Sequence, residues 1–287
     1  HISKLRHQAV ITSQDCIHIS KSGAENCTFL FKPPWLIKST DIAGASSGIG
    51  RDIARELSRQ GWRLLLAARR RDRLEALAKE LQTPCRIYVC DVSKKENCIW
   101  LHEQTRAQGV SLLVNAAGFG LFGNFSSTEL NRELEMIDVN IRAVHILTKL
   151  FLRDFIKQDA GAILNVASSA GFLAGPMLST YYASKNYVVR LSEAIYEELR
   201  ASGSHVTISC LCPGPVDTEF NAAAGISKFS VKAMNSRRVA RIAVRQTLAG
   251  KLLILPGIST KLSTALSRFV PEKPLLRMVH GIQKGKQ

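Results

Sequence analysis

The chain has 287 residues, 46% of them apolar, and 39 Lys+Arg against 23 Asp+Glu give it a formal charge of +16. That length holds one α/β domain or two small ones with a sizeable core, and 22% charged residues at near-zero mean hydropathy exclude wholesale disorder. The longest stretch free of formal charge, Ala160 to Ser184, has the length of a membrane span, but it carries Asn165, Pro176 and Thr180 and reads as strand, loop and helix start.

In chain order, residues 1–34 follow neither the helical nor the strand period. They lack the apolar core of a signal peptide and are too poor in Arg for a transit peptide, so they are predicted as a poorly ordered or non-native extension. A strand follows over Leu36 to Ala43, unusual in holding Lys38, Ser39, Thr40 and Asp41 where a core strand is apolar; burial of Asp41 there is expected to be costly. A glycine turn then opens a helix over Arg51 to Arg59. Short apolar runs come next at Arg63–Ala68, Arg86–Val89, Ser111–Asn115, Ala162–Ala167, His205–Leu211 and Lys251–Leu255, separated by helical patterns such as Arg71–Leu81 and Lys94–Gln108. Runs that are continuous rather than alternating suit strands buried on both faces. The alternation predicts an α/β fold: a single doubly wound domain over residues 35–256, with a parallel sheet of about seven strands and helices on both faces.

Residues 257–287 form a basic amphipathic segment, with Ile258, Leu262, Ala265, Leu266 and Phe269 at helical spacing. It is expected to pack against the domain or a second subunit, with peripheral contact to an anionic membrane as the other reading. Charge is concentrated nearby: 13 Lys/Arg and one acid, Glu272, lie beyond residue 219, which accounts for +12 of the total. Excess positive charge points to an anionic partner. No nucleic-acid-binding motif is present and the aromatics are not interleaved with the basic residues, so a nucleic acid is not the expected partner. Seven cysteines form no C-x-x-C pair and have no His at ligand spacing. Free, mostly buried thiols, a reducing cytoplasmic location and no metal site are expected.

Two stretches carry chemistry. In Gly44-Ala-Ser46-Ser47-Gly48-Ile49-Gly50, glycines let the backbone approach a pyrophosphate while the following helix offers free N–H groups and the positive end of its dipole. The next strand ends Ala67-Ala68-Arg69-Arg70, with no acid to accept from a ribose 2′-hydroxyl; Arg69 instead suits a 2′-phosphate, which favours NADP(H) over NAD. The second stretch is Tyr181-Tyr-Ala-Ser-Lys185. Residues four apart share a helix face, so Tyr181 and Lys185 project together, whereas Tyr182 is followed at that spacing by the uncharged Asn186. A tyrosine of pKa ~10 is a poor base near neutrality, and a neighbouring ammonium, with the positively charged nicotinamide ring when oxidised cofactor is bound, is expected to lower it. Ser168 lies thirteen residues before Tyr181, with Ser169 beside it.

These stretches, in this order, resemble the short-chain dehydrogenase/reductase family from about Ala43 to Leu255, most closely its carbonyl or ketoacyl reductase-like branch. One departure is Ala43, where the family has Thr. The resemblance implies a Rossmann-type domain in which Asn140, Ser168, Tyr181 and Lys185 are catalytic. Ser168 would bond the substrate oxygen, and Asn140 would hold a water linked to Lys185. It implies further cofactor contacts from Asp91-Val92, from Asn115, Ala116 and Gly118, and from Pro213-Gly214, Val216 and Thr218, beside Tyr181, Lys185 and the glycine turn. Hydride transfer between NADP(H) and a small-molecule carbonyl or secondary alcohol is expected. Phe220, Ile226 and Phe229, together with Phe119, Leu121, Phe122, Phe172 and Met177, suggest a lipophilic substrate: fatty acyl, steroid-like or xenobiotic. A homo-dimer or homo-tetramer is expected. Two rivals are a cofactor-binding protein without turnover, suggested by the altered first strand, and a basic nucleic-acid-binding protein.

Overall fold

Strand β2 (Arg63–Ala68) is buried from Leu64 onward, as a strand covered on both faces must be. In the computed structural model, residues 38–226 and 233–285 are described; the predicted 1–34 extension, Cys16, Cys27 and Phe229 lie outside them. Seven parallel strands stand in the order β3-β2-β1-β4-β5-β6-β9. The others are β1 (Ser39–Ala43), β3 (Cys85–Val89), β4 (Leu112–Asn115), β5 (Ala162–Val166), β6 (Thr207–Leu211) and β9 (Leu253–Ile254). The order reverses between β1 and β4, and at such a switch point the crevice beyond the carboxyl ends of the strands is where an open α/β sheet binds its ligand.

Helices α1 (Gly48–Arg59), α2 (Arg71–Glu80) and α8 (Ser236–Leu248) cover one face, around Ile42, Leu64 and Leu66. Helices α3 (Lys95–Arg106), α5 (Val144–Gln158) and α6 (Ser179–Ala201) cover the other, around Leu65, Leu113, Phe151 and Ile208. Helix α4 (Leu130–Ile137) runs into α5 through a π-helical turn, Asp138–Ala143. Beyond Thr218 come α7 (Phe220–Ala224), α8, α9 (Ile258–Leu266) and α10 (Glu272–Lys284).

Strand β2 has the predicted bounds, β3 begins one residue earlier than predicted, at Cys85, and β4, β5, β6 and β9 lie inside theirs, shorter at one or both ends; of the predicted first strand, residues 38–43 are described and Ser39–Ala43 form β1. A two-stranded parallel pair, β7 (Val216–Asp217) with β8 (Met234–Asn235), was not anticipated, since two residues a side carry no readable period. The five described cysteines are free; Cys90, Cys98, Cys210 and Cys212 are buried.

The unusual first strand is central. Asp41 lies between Leu65 and Leu113, fully buried, and both carboxylate oxygens lack a hydrogen-bond partner. Burial pushes its pKa up to about 7; the Thr105 hydroxyl, which donates to the Leu101 carbonyl, opposes this only in part. The hydroxyls of Ser39 and Thr40 are likewise buried and unpartnered.

Candidate active site

The glycine turn joins β1 to α1, and its glycines are required by space. Gly44 has φ +94°, and a Cβ there would stand 2.4 Å from the Ala117 nitrogen; one on Gly50 would stand 2.4 Å from the Gly44 carbonyl oxygen. Only a bare backbone lets this turn pack against the end of β4. The α1 N-terminus receives no side-chain cap from Ser47, so its first-turn N–H groups have no side-chain partner, and Ser47, Gly48 and Ile49 line the crevice. The crevice is a cleft of about 400 Å³ bounded by Gly44, Ser46, Ser47, Gly48 and Ile49, by Asp91, Val92, Ala116 and Gly118, and by Pro213, Gly214, Val216 and Thr218.

At one end of this cleft the turn after β5 and the first turns of α6 bring Ser168, Tyr181 and Lys185 together. Ser168 caps a short 3₁₀ turn, its Oγ accepting from the Ala170 N–H at 3.1 Å. Its hydroxyl faces the Tyr181 phenol and favours ionisation, but burial prevails and pushes that phenol up to about 12. Lys185 is also buried, which pulls its ammonium down to about 8, and its Nζ donates to the Val166 carbonyl at 3.0 Å, 5.9 Å from the Tyr181 ring centre. The expected lowering of Tyr181 by Lys185 is therefore not what the protein's own electrostatics give. Desolvation of the phenol itself dominates, with the Ser168 hydroxyl opposing it only in part.

Asn140 sits in the π-helical turn, fully buried. Its Nδ2 donates to the Phe119 carbonyl (2.9 Å) and Ser184 Oγ (3.0 Å), and its Oδ1 accepts from the Phe119 N–H (3.1 Å). Asn140 and Lys185 converge on Gly118: a Cβ there would lie 3.0 Å from Asn140 Oδ1 and 3.2 Å from Lys185 Nζ. Asn140 is thus behind the cleft wall rather than in it. Gly50 also stays out of the lining, behind Gly44.

Asn115 departs further from expectation. As the last residue of β4 it turns inward, donating to Thr148 Oγ1 (3.1 Å) and Asn165 Oδ1 (2.9 Å), while Asn165 donates to Ser192 (3.1 Å). Strand alternation gives it to this buried polar group and leaves the cleft to Ala116, Ala117 and Gly118.

Arg69 lines the cleft but is largely exposed and paired with Glu135 at 3.1 Å. Its neighbour Arg70, which spacing alone does not distinguish from Arg69, also lines the cleft, lies 3.3 Å from Ser46 Oγ and pairs with Glu219 at 3.2 Å. Glu219 is held by Arg73 as well (2.5 Å), and these partners keep its carboxyl below its usual pKa. The run of arginines was visible in the sequence; which one meets the glycine turn depends on where the chain leaves β2.

Beside Tyr181 the wall is apolar: Leu178 and Met136 pack with Phe119, Leu121, Phe122, Tyr182, Phe220 and Ile226. Phe172 instead packs toward Val188 and Val189, and Met177 is buried in the loop before α6.

A parallel sheet with a glycine turn and an open helix N-terminus at its switch point defines a dinucleotide-binding protein. Comparison with known proteins names the class more closely. The profile described as short chain dehydrogenase matches residues 38–228. Dehydrogenase/reductase SDR family member 11 of Bos taurus is 32% identical over 197 residues, 65% of this chain and 77% of that protein. A short-chain dehydrogenase from Sphingobium yanoikuyae, solved in complex with NADPH, superposes with a TM-score of 0.73 at 26% identity, covering 80% of this chain and 93% of that one. A short chain dehydrogenase/reductase from Burkholderia phymatum, in complex with NAD, gives 0.74 at 26% identity over 81% and 93%. The chain belongs to the short-chain dehydrogenase/reductase family of oxidoreductases. A nicotinamide dinucleotide fits the cleft, which the glycine turn borders and where the α1 N-terminus offers backbone donors without a side-chain cap.

Proposed function

We propose that the protein is an NADP(H)-dependent reductase of lipophilic carbonyl compounds, also able to oxidise the corresponding secondary alcohols. The observation that carries this reading is the convergence of Ser168, Tyr181 and Lys185 at the apolar end of the cleft. When bound, the nicotinamide supplies or takes the hydride. Ser168 and Tyr181 hold the substrate oxygen between two hydroxyls, and Tyr181 gives its proton to that oxygen as charge develops there. A phenol held up to about 12 stays protonated at neutral pH, which favours the acid role and thus reduction. Lys185 holds the ribose hydroxyls, and Asn140, its side chain engaged with Phe119 and Ser184, offers its backbone carbonyl to a water-linked proton relay. Asp91, Val92, Ala116, Gly118, Pro213, Gly214, Val216 and Thr218 bound the remaining length of the cofactor. Asn115 braces the end of β4 from behind.

The apolar wall at Phe119, Leu178, Tyr182, Phe220 and Ile226 supports a fatty acyl, steroid-like or xenobiotic substrate. NADPH oxidation, followed by absorbance over a panel of ketones and aldehydes, tests the reading. Bulky apolar carbonyls should turn over and small hydrophilic ones poorly. NADPH binding without turnover of any of them would overturn the reading in favour of a cofactor-binding protein. The homo-dimer or homo-tetramer expected with this reading is open to sedimentation analysis, and the free thiols agree with a reducing, cytoplasmic setting.

The preference for NADP(H) rests on Arg69 and Arg70 in the cleft, Arg70 beside Ser46. Charge-assisted bonds to a phosphate are worth about 1.5–3 kcal/mol, so Arg70→Ala should raise the KM for NADPH roughly tenfold to a hundredfold and leave that for NADH nearly unchanged. Arg69→Ala should act in the same direction, less strongly. Equal or better use of NADH by the unmodified enzyme would exclude this preference.

A further inference from the structure

The last two helices turn apolar side chains outward. On α9, Ile258, Leu262 and Leu266 recur every fourth residue along one face, and Thr264, the buried residue of that helix, lies on the opposite side. Phe269, in the 3₁₀ turn that closes α9, is 83% exposed and Ile258 is 84% exposed. On α10, Val279 and Gln283 face inward while Met278 and Ile282 are exposed. Single exposed apolar residues need no explanation, but six within one short segment make a face.

The charges of this segment share one sign. Lys261, Arg268, Lys273, Arg277 and Lys284 stand against Glu272, and among the described residues none of those five cations takes part in an ion pair, whereas ten arginines elsewhere do. Two copies meeting through this face would set like charges against each other, which is unfavourable. An anionic surface complements them. Among the described residues no helix is long and apolar enough to cross a membrane, so the fitting geometry is a helix lying in the interface.

The inward side reaches the cleft wall. Thr260 Oγ1 would stand 2.9 Å from a Cβ on Gly214, and Gln283 Nε2 donates to the Tyr182 hydroxyl at 2.5 Å; Gly214 and Tyr182 both line the cleft. We propose that the outer faces of α9 and α10 dock on an anionic phospholipid bilayer, with only these two helices between the lipid and the cleft wall. Docking stands on the exposed apolar face and its unpaired cations. Its consequence, delivery of a bilayer-dissolved carbonyl compound, rests on the reductase reading above.

The test uses the full chain, co-sedimented with phosphatidylcholine vesicles containing or lacking phosphatidylglycerol. The protein should pellet with the anionic vesicles, release on raising the salt, and stay in solution with phosphatidylcholine alone. At about 1 kcal/mol per surface-bound cation, Lys261→Gln with Arg268→Gln should lower the partition coefficient about 30-fold. Ile258→Ser with Phe269→Ser should abolish pelleting. Both doubles change exposed residues, and unaltered NADPH binding verifies their fold. Pelleting that is equal for the parent and the doubles, or absent for the parent, overturns docking. So does a dimer that the Ser double dissociates without any vesicle binding by the parent. Ketone reduction measured without vesicles reports on the reductase reading separately, so either idea can fail alone.

Discussion

Tyr181→Phe should lower carbonyl turnover at least about a thousandfold while leaving NADPH binding within about twofold of the parent. The size follows from the two roles the hydroxyl combines: a general acid contributes about 10²–10⁴-fold, and a preorganised donor to the substrate oxygen adds to that. The phenol is buried, faces the Ser168 hydroxyl, and stands beside Lys185 at the apolar end of the cleft. Losing only its oxygen leaves the ring contacts with Tyr182 and Phe220 in place, at centroid distances of 6.1 and 5.1 Å, so the fold should survive. Cofactor titration by fluorescence separates loss of chemistry from loss of binding, and a variant retaining a tenth or more of the activity would remove Tyr181 from the acid role. In the parent, the oxidation of alcohols should rise with pH well past neutrality, because burial holds the phenol at about 12 and only its ionised form can accept the proton.

Asp41→Val should raise the melting temperature by roughly 8–16 °C at pH 7.5, on a scale where 1 kcal/mol moves a domain of this size by about 2–4 °C. The carboxyl is fully buried between Leu65 and Leu113 with neither oxygen bonded, and burial holds its pKa at about 7, where an ordinary aspartate stands at about 4. An acid whose pKa is raised by folding holds its proton in the folded state while the unfolded chain releases it. The parent should therefore lose stability as pH rises from about 4 to about 7, by on the order of 4 kcal/mol, and change little from this source outside that window. In the valine variant that slope should vanish. Melting curves across pH 4–8 for both proteins read it directly; parallel curves would show that Asp41 is solvated or paired in solution.

Much of the fold was legible because buried parallel strands announce themselves. Arg63–Ala68 is a continuous apolar run, and the structure gives β2 those same bounds. The site was legible where chemistry depends on spacing along one element: Tyr181 and Lys185, one helical turn apart, do meet. It was less legible where a role depends on which way a strand end turns. Asn115 and Ala116 are neighbours in sequence, yet one is committed to Thr148 and Asn165 and the other faces the cleft. Arg69 and Arg70 differ in the same way, and only the path out of β2 sets Arg70 against Ser46. The direction of the Tyr181 shift was also beyond the sequence, since it depends on how deeply the phenol itself is buried.

The π-helical turn at Asp138–Ala143 sets the phase of a continuous rod running from Leu130 to Gln158. A π turn holds about one residue more than an α turn, so the rod carries one surplus position exactly where its task changes from bracing the cleft to packing under the sheet. Excising one residue there would close it to an α turn and leave α4 and α5 nearly in their present phase, because the surplus residue is taken up within the turn itself. Met136 would stay in the cluster around Tyr181, while Asn140, inside the turn, would lose its approach to Gly118. The backbone would gain regularity and the site would lose one positioned side chain, so what looks like an irregularity in the helix lets one rod serve the cleft without disturbing its own packing under the sheet.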